Sequence, residues 1–450
     1  MNAPIVPVDG MEIRADTVLA DGVHYLPHGI TIAADGVTLD GRGALLVGAG
    51  REGTGVRVEG RHDVTVRGVR LRGYYHGLRA RACRGLTLAS CEVADTAEVP
   101  PNTVFLDIWL DAEQSYGGGI LLHEVTDSRV VENDLQHQQS GLLTYDCARL
   151  TVLRNQANYN SGYGIHLSHT CDSLFEENSA DYCCRFEPRE GGRHYGHMGA
   201  DATGFLAVRA SCRNVFRRNT ARLGGDGFFL AGLAPDGTTC GCDDNLFEEN
   251  DGSLSPNIAF EATFCRGNVF RGNYADRGNY GFWLGFSWDC LLEDNRMLMN
   301  RQAGVAVENG HLMTVRGNAL QANGHGILLW SRHNEQFARA YPESLTSHHW
   351  TIERNVMTRN VKGIRIAADQ DHGIRDLPED KRGGEAARPS DHVLRGNDIQ
   401  DNRVGVELVR ADRTVLEGNI LNRNVEANLR QDDAAGTVAR NNLGSAGGYL

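Results

Sequence analysis

Two glutamates carry the sharpest chemical possibility in this chain, Glu261 in AFEATF and Glu308 in AVENG. Each stands four places after the residue that opens a short alternating run, Asn257 in the first case and Gly304 in the second, and Gly285 holds the equivalent place between them. If these runs are stacked strands, the carboxylates share one outward column, with backbones roughly 9.6 Å apart and no side chain between them. Carboxyl groups about 6.5–9.5 Å apart suit inverting hydrolysis of a glycosidic bond: one acid protonates the leaving oxygen and the other activates water. Trp283 and Trp330 each fall one rung from a glutamate and offer flat faces to a sugar ring, a platform that Phe229 extends. The plainer alternative makes the glutamates surface acids bound by a neighbouring Asn or Arg and the aromatics covers for apolar columns.

A second set lies earlier. His123, Tyr145 and His166 take outward places on their own runs, beside two inserted segments. TVFLDIWLDAEQSYGGG carries Asp107, Trp109, Asp111 and Tyr116, and RFEPREGGRHYGHMGAD carries Arg185, Arg189, Arg193, His194, His197 and Asp201. These are expected to hold substrate hydroxyls or a terminal sugar, or to form a separate Arg/His/Tyr site.

A repeat must position all of these. Asparagine returns at Asn133, Asn155, Asn178, Asn219, Asn250, Asn273, Asn295, Asn318, Asn355, Asn397, Asn419 and Asn441, mostly 22 or 23 residues apart, and the longer gaps are one unit plus an insertion. Between Asn155 and Asn178 short alternating runs are punctuated by Asn160 and Gly164, which is a strand signal with no 3.6-residue period. A coil of this length stacks each strand about 4.8 Å above its equivalent, in parallel, with inward Ile, Leu, Val and Phe in columns. The turn Asn then forms an amide ladder, so these residues are structural. The predicted fold is all-β, one elongated parallel β-helix solenoid, with residues 1–30 as a cap and 31–450 as coils. Insertions near 94–116, 181–202, 232–243, 331–347 and 369–391 flank the Gly-opened strands and should wall their outer surface into a cleft.

The opening GITIAADGVTLDGRG, Gly29 to Gly43, and the repeat that follows resemble the right-handed parallel β-helix proteins of the pectate-lyase-like superfamily, over roughly residues 25–445. The resemblance implies right-handed coils and a carbohydrate substrate, since members include polysaccharide lyases, glycoside hydrolases, uronate epimerases and phage tailspikes. It implies no single activity, because chemistry is grafted onto one scaffold.

Composition narrows the rest. Lys plus Arg number 45 and Asp plus Glu 58, a net charge of −13 without basic blocks, which disfavours nucleic acid and long polyanions. The start has no basic segment followed by an apolar run and no 18-residue apolar stretch occurs, so a soluble, cytoplasmic protein with no membrane partner is expected. Eleven cysteines fit a reducing compartment, and Cys83, Cys147, Cys171, Cys212, Cys242 and Cys265, each seven or eight residues before a ladder position, are expected in one column, close enough across coils for disulfides as well. Neither metal nor other cofactor is expected, and oligomeric state is not readable. The leading expectation is a glycoside hydrolase for a short neutral or weakly charged oligosaccharide. The alternative is a polysaccharide lyase or uronate C5-epimerase, in which Arg neutralises the uronate and His, Tyr or Lys takes the C5 proton. A third reading is a non-catalytic carbohydrate-binding or structural protein.

Overall fold

A computed structural model describes residues 3–100, 105–185, 202–332, 335–368 and 388–444. Strands three to nine residues long dominate, and Glu335–Ala340 is the only α-helix among the described residues. The chain forms two compact units, Met1–Phe229 and Leu230–Leu450. Both are right-handed parallel β-helix, each coil contributing strands to separate parallel sheets.

In the first unit the floor sheet runs Ile30–Ile32, Thr54–Glu59, His76–Arg84, Gly118–Thr126, Ser140–Tyr145, Ile165–Ser168 and Thr203–Val208. In the second it runs Ile258–Thr263, Tyr280–Trp283, Ala303–Glu308, His325–Trp330, Lys362–Ala367, Val404–Val409 and Ala427–Asp432. Coiling begins inside the segment expected to be a cap, because Glu12–Ile13 pairs with the strand Ile30–Ile32 and Thr17–Val18 with Thr38–Asp40.

The alternation seen in the sequence is the cause of this shape. A three-residue strand such as Val215–Arg217 buries its middle side chain and leaves its neighbours half-buried. Buried phenylalanines therefore stack rung on rung, Phe175 on Phe216 at 5.1 Å in the first unit and Phe260 on Phe282 at 4.9 Å in the second. The strand-opening glycines are required by close approach rather than by dihedral angle: a β-carbon on Gly326 would lie 2.4 Å from the Gly363 carbonyl oxygen one rung on.

The Asn ladder is present in both units. Each side-chain amide donates to the next Asn and to a strand carbonyl, while its oxygen accepts the previous rung's backbone N–H, as at Asn295, Asn318 and Asn355. Cys91 takes a ladder place, its N–H donating to Asn133. The last rung is Asn442, not Asn441, since Asn419 donates to Asn442 and Asn441 occupies the left-handed turn position at φ 56°. A second ladder runs through Asn300, Asn323, Asn360, Asn402 and Asn424.

The expected single cysteine column splits in two. Cys83, Cys147, Cys242 and Cys265 are buried, whereas Cys171 and Cys212 are half-exposed. The buried four stand eight residues before a ladder place and the other two stand seven, and one residue reverses the face of a strand-like segment. No disulfide joins any of the eleven cysteines in this structure.

Candidate functional site

In the second unit the floor does not bring the glutamates into one column. Glu261 pairs in register with Trp283, Trp283 with Ala306, and Glu308 with Trp330. Ile258 pairs with Tyr280, so Ala259, not Asn257, stands beside the strand-opening Gly281. Glu261 thus lies two residues further back along the strand than Glu308 as well as two rungs away, a backbone separation of about 12 Å from the strand rise and spacing. Nor is there an open gap at Gly285, where an added β-carbon would lie 3.2 Å from the Trp283 indole nitrogen. Glu308 is buried with its Oε1 3.0 Å from Arg332 Nε. The paired-carboxylate geometry expected for a hydrolase is therefore absent from these two residues.

The aromatic platform is also reduced. Trp330 is 2% exposed and meets Trp283 edge-on at 5.3 Å, packed with Ala303, Ala306 and Leu328. Only Trp283 and Tyr280 remain half-buried there. Phe229, in the first unit, is buried at 7%. Of the other floor residues, Glu407 is consumed internally by Lys362 and Arg365, which both donate to its Oε2. Two of the insertions touch: Tyr341 donates to the Gly232 carbonyl at 2.9 Å, and Phe337 and Tyr341 pack on Phe264 and Phe286, while most of the insertion near 369–391 lies outside the described residues.

The first unit gathers the richer chemistry. Arg81, His123 and Tyr145 are paired in register on three successive rungs, with Ser168 on the fourth. The adjoining column is Arg79, Leu121, Leu143 and His166. His123 lies between two carboxylates, its Nδ1 3.6 Å from Glu113 and its Nε2 3.6 Å from Asp146. Arg81 reaches Glu124 at 3.6 Å and Glu113 at 4.0 Å with its side chain 42% exposed. Arg79 and Arg81, with Arg57 and Glu59, line a recess of about 180 Å³.

The insertion before Gly117 folds over the neighbouring rungs. Asp107 accepts the Trp109 N–H at 2.8 Å and so shapes its own turn, Asp111 pairs with Arg209 at 3.1 Å, and Arg209 also donates to the Trp109 carbonyl. His166 lies beneath this cover, 1% exposed and stacked on Tyr163. It positions Tyr145, whose ring is 5.1 Å away, and does not reach an open surface. Arg185 is buried and donates to the Pro100 carbonyl. His194, with Arg189, Arg193, His197 and Asp201, lies outside the described residues.

Burial sets the protonation of this cluster. It pushes the Tyr145 phenol above its ordinary range, with Arg209 opposing. It holds His76 down at about 4 and His166 at about 3, and in the second unit His325 at about 4 and His392 at about 3. Unfolded imidazoles titrate near 6.5, roughly, so below that pH the unfolded chain binds protons that the folded one refuses. Stability should be complete above about pH 6.5 and fall towards pH 4, each buried imidazole withdrawing up to about 1.4 kcal/mol per pH unit. Urea midpoints at about pH 7.5 and about pH 5 test this, and equal midpoints would show that these rings are solvated.

A family model described as a right handed β helix region matches residues 33–185 and 102–255. A second, described as the periplasmic copper-binding protein NosD, matches residues 196–341. Among the described residues no group of three or more His, Cys, Asp or Glu is placed to hold a metal ion, so copper finds no donor set there. The word periplasmic in that description gives the cytoplasmic expectation no support. No helix among the described residues is long and apolar enough to cross a membrane. No curated protein matches the chain. Among solved structures, it is similar to the A-module of the mannuronan C-5 epimerase AlgE6 of Azotobacter vinelandii, at 13% identity over 95% of this chain and 91% of that one, with a TM-score of 0.46. An alginate lyase from Paenibacillus sp. str. FPU-7 follows at 12% identity, 67% and 87% coverage and a TM-score of 0.38. PfbA, a surface adhesin of Streptococcus pneumoniae, has 10% identity, 68% and 84% coverage and a TM-score of 0.34. At such scores none of them bears on activity. With parallel strands stacked coil on coil, an Asn ladder in each unit and the β-helix model matched over residues 33–255, the chain is a right-handed parallel β-helix repeat protein.

Proposed function

We propose that the first unit abstracts the C5 proton of a uronate residue in an acidic saccharide, as a lyase or a C5-epimerase does. The observation that carries this reading is the register of Arg81, His123 and Tyr145 on adjacent rungs, a cation, an imidazole and a phenol roughly 4.8 Å apart along one column, in which Arg81 is open to solvent while His123 and Tyr145 are 7% and 5% exposed. A proton beside a carboxylate becomes removable once the carboxylate's charge is neutralised, which is the task of Arg81 with Arg79 beside it. His123 takes the proton, and Glu113 and Asp146, each at 3.6 Å, stabilise the imidazolium that forms. Tyr145, kept protonated by burial, is the acid. It protonates the glycosidic oxygen leaving C4 in elimination, or the opposite face of C5 in epimerisation, and recovers its proton from His123 through solvent. The net charge of −13 opposes long-range capture of a polyanion, and the local arginines at the recess supply the contrary field.

The test is incubation in D2O with a panel of polymannuronate, polyguluronate and polygalacturonate. Deuterium at C5 by NMR reports the epimerase, and ultraviolet absorbance of a product unsaturated between C4 and C5 reports the lyase. New reducing ends from neutral oligosaccharides, with neither signal from any uronate, would restore the hydrolase reading instead. Within this reading Arg81→Ala should lower kcat/KM about tenfold or more, with kcat falling as well as KM rising, because the charge on the carboxylate that Arg81 offsets grows as the proton leaves. An unchanged kcat/KM would remove Arg81 from the site.

A further inference from the structure

Cys171 and Cys212 sit at equivalent places on adjacent coils of the first unit. Each lies three residues before a member of the register pair Leu174 and Val215, and the Asp172 N–H donates to the Cys212 carbonyl at 3.1 Å. In-register rungs are about 4.8 Å apart, inside the Cα separation of about 4.4–6.8 Å that a disulfide spans. Both side chains are half-exposed, while Cys83, Cys91, Cys147 and Cys183 in the same unit are buried.

The surroundings of Cys171 favour its thiolate. The Cys212 N–H donates to the Cys171 sulfur at 3.4 Å, and the Cys171 thiol in turn donates to the Ala210 carbonyl at 3.3 Å. The Arg213 guanidinium stands beside it, fixed by two bonds of 2.7 and 2.8 Å to Asp172. Bonding to the Cys212 thiol, outweighing burial, draws Cys171 down to about 6, whereas burial pushes Cys91 up to about 11 and Cys147 up to about 12.

We propose that Cys171 and Cys212 are a redox-active thiol pair, in which Cys171 is the attacking thiolate and Cys212 the resolving thiol that closes a disulfide between two coils. The oxidant is a peroxide. The Cys171 thiolate attacks one peroxide oxygen, the O–O bond breaks, hydroxide leaves and takes up a proton, and a sulfenic acid forms. The Cys212 thiol then attacks the Cys171 sulfur, the S–O bond breaks and water departs. Two sulfurs have lost one electron each, and the peroxide has become two waters.

The intact chain, treated with hydrogen peroxide at neutral pH, alkylated and digested without reductant, should yield a peptide linking Cys171 to Cys212. Cys212→Ser should stop at a sulfenic acid on residue 171 that dimedone traps, and Cys171→Ser should leave Cys212 alkylatable. Without peroxide, alkylation of Cys171 should slow about tenfold between about pH 7 and about pH 5, following its thiolate fraction. The proposal is overturned if peroxide leaves both thiols free, if Cys184 or Cys240 oxidises before Cys171, or if the alkylation rate of Cys171 does not change over that pH range. None of these readings involves a saccharide, so they stand or fall apart from the activity proposed above.

Discussion

Tyr145→Phe is expected to lower the rate of uronate turnover, whether elimination or epimerisation, about 10²–10⁴-fold, the usual contribution of a positioned general acid. The same change should leave the thermal midpoint almost where it was. The reason is specific to this phenol: no described residue hydrogen-bonds its oxygen, so deleting that atom strands no partner, and the ring keeps its contact with His166 at 5.1 Å. A variant that unfolded with the loss of activity would point to a structural role, and one that kept full activity would remove the acid from the mechanism. His123→Ala is the companion measurement. As the proposed base, His123 should cost at least a comparable factor in turnover when removed.

The largest loss of stability is expected from the ladder. Asn318→Ala deletes an amide that donates to Asn355 and to the Leu292 carbonyl, each at 2.9 Å, and an oxygen that accepts both the backbone N–H and the side chain of Asn295. All of this is buried, so the groups left behind lose bonds that water cannot replace. At about 1–3 kcal/mol for a stranded buried group, partly relieved by relaxation, the variant should lose roughly 3–5 kcal/mol. Denaturant titration measures this directly. A loss below about 1 kcal/mol would mean that the amide column follows from strand pairing instead of supporting it.

The repeat, its parallel stacking and its ladder were legible because all three follow from a period that the Asn spacing states openly. Register was less so. Asn257 precedes an apolar run as the strand-opening glycines do, yet it stands only seven residues after Asn250, where Gly281 and Gly304 stand eight and nine after their own ladder residues. Counting from the ladder places Ala259 there instead, and a two-residue slip keeps a side chain on the same face while moving it to another column. The same count, started at Gly77 in HGLRARACR, finds Arg79 and Arg81, the arginines missing from the first expectation. Arg332, which binds Glu308, lies 24 residues further on, beyond the end of the next strand, and no local pattern announces it. The covering of His166 was equally hidden, because the path an insertion takes over a sheet depends on contacts such as that of Asp111 with Arg209 that no period encodes.

Since each ladder residue presents the same donor upward and the same acceptor downward, one storey of the second unit is interchangeable with the next. Excising residues 397–418, one whole coil, would bring Asn355 face to face with Asn419, which offers the bonds that Asn397 made. Such a scaffold can gain or lose length by duplication and deletion of whole storeys, while the column proposed as catalytic in the first unit is fixed by its own neighbours.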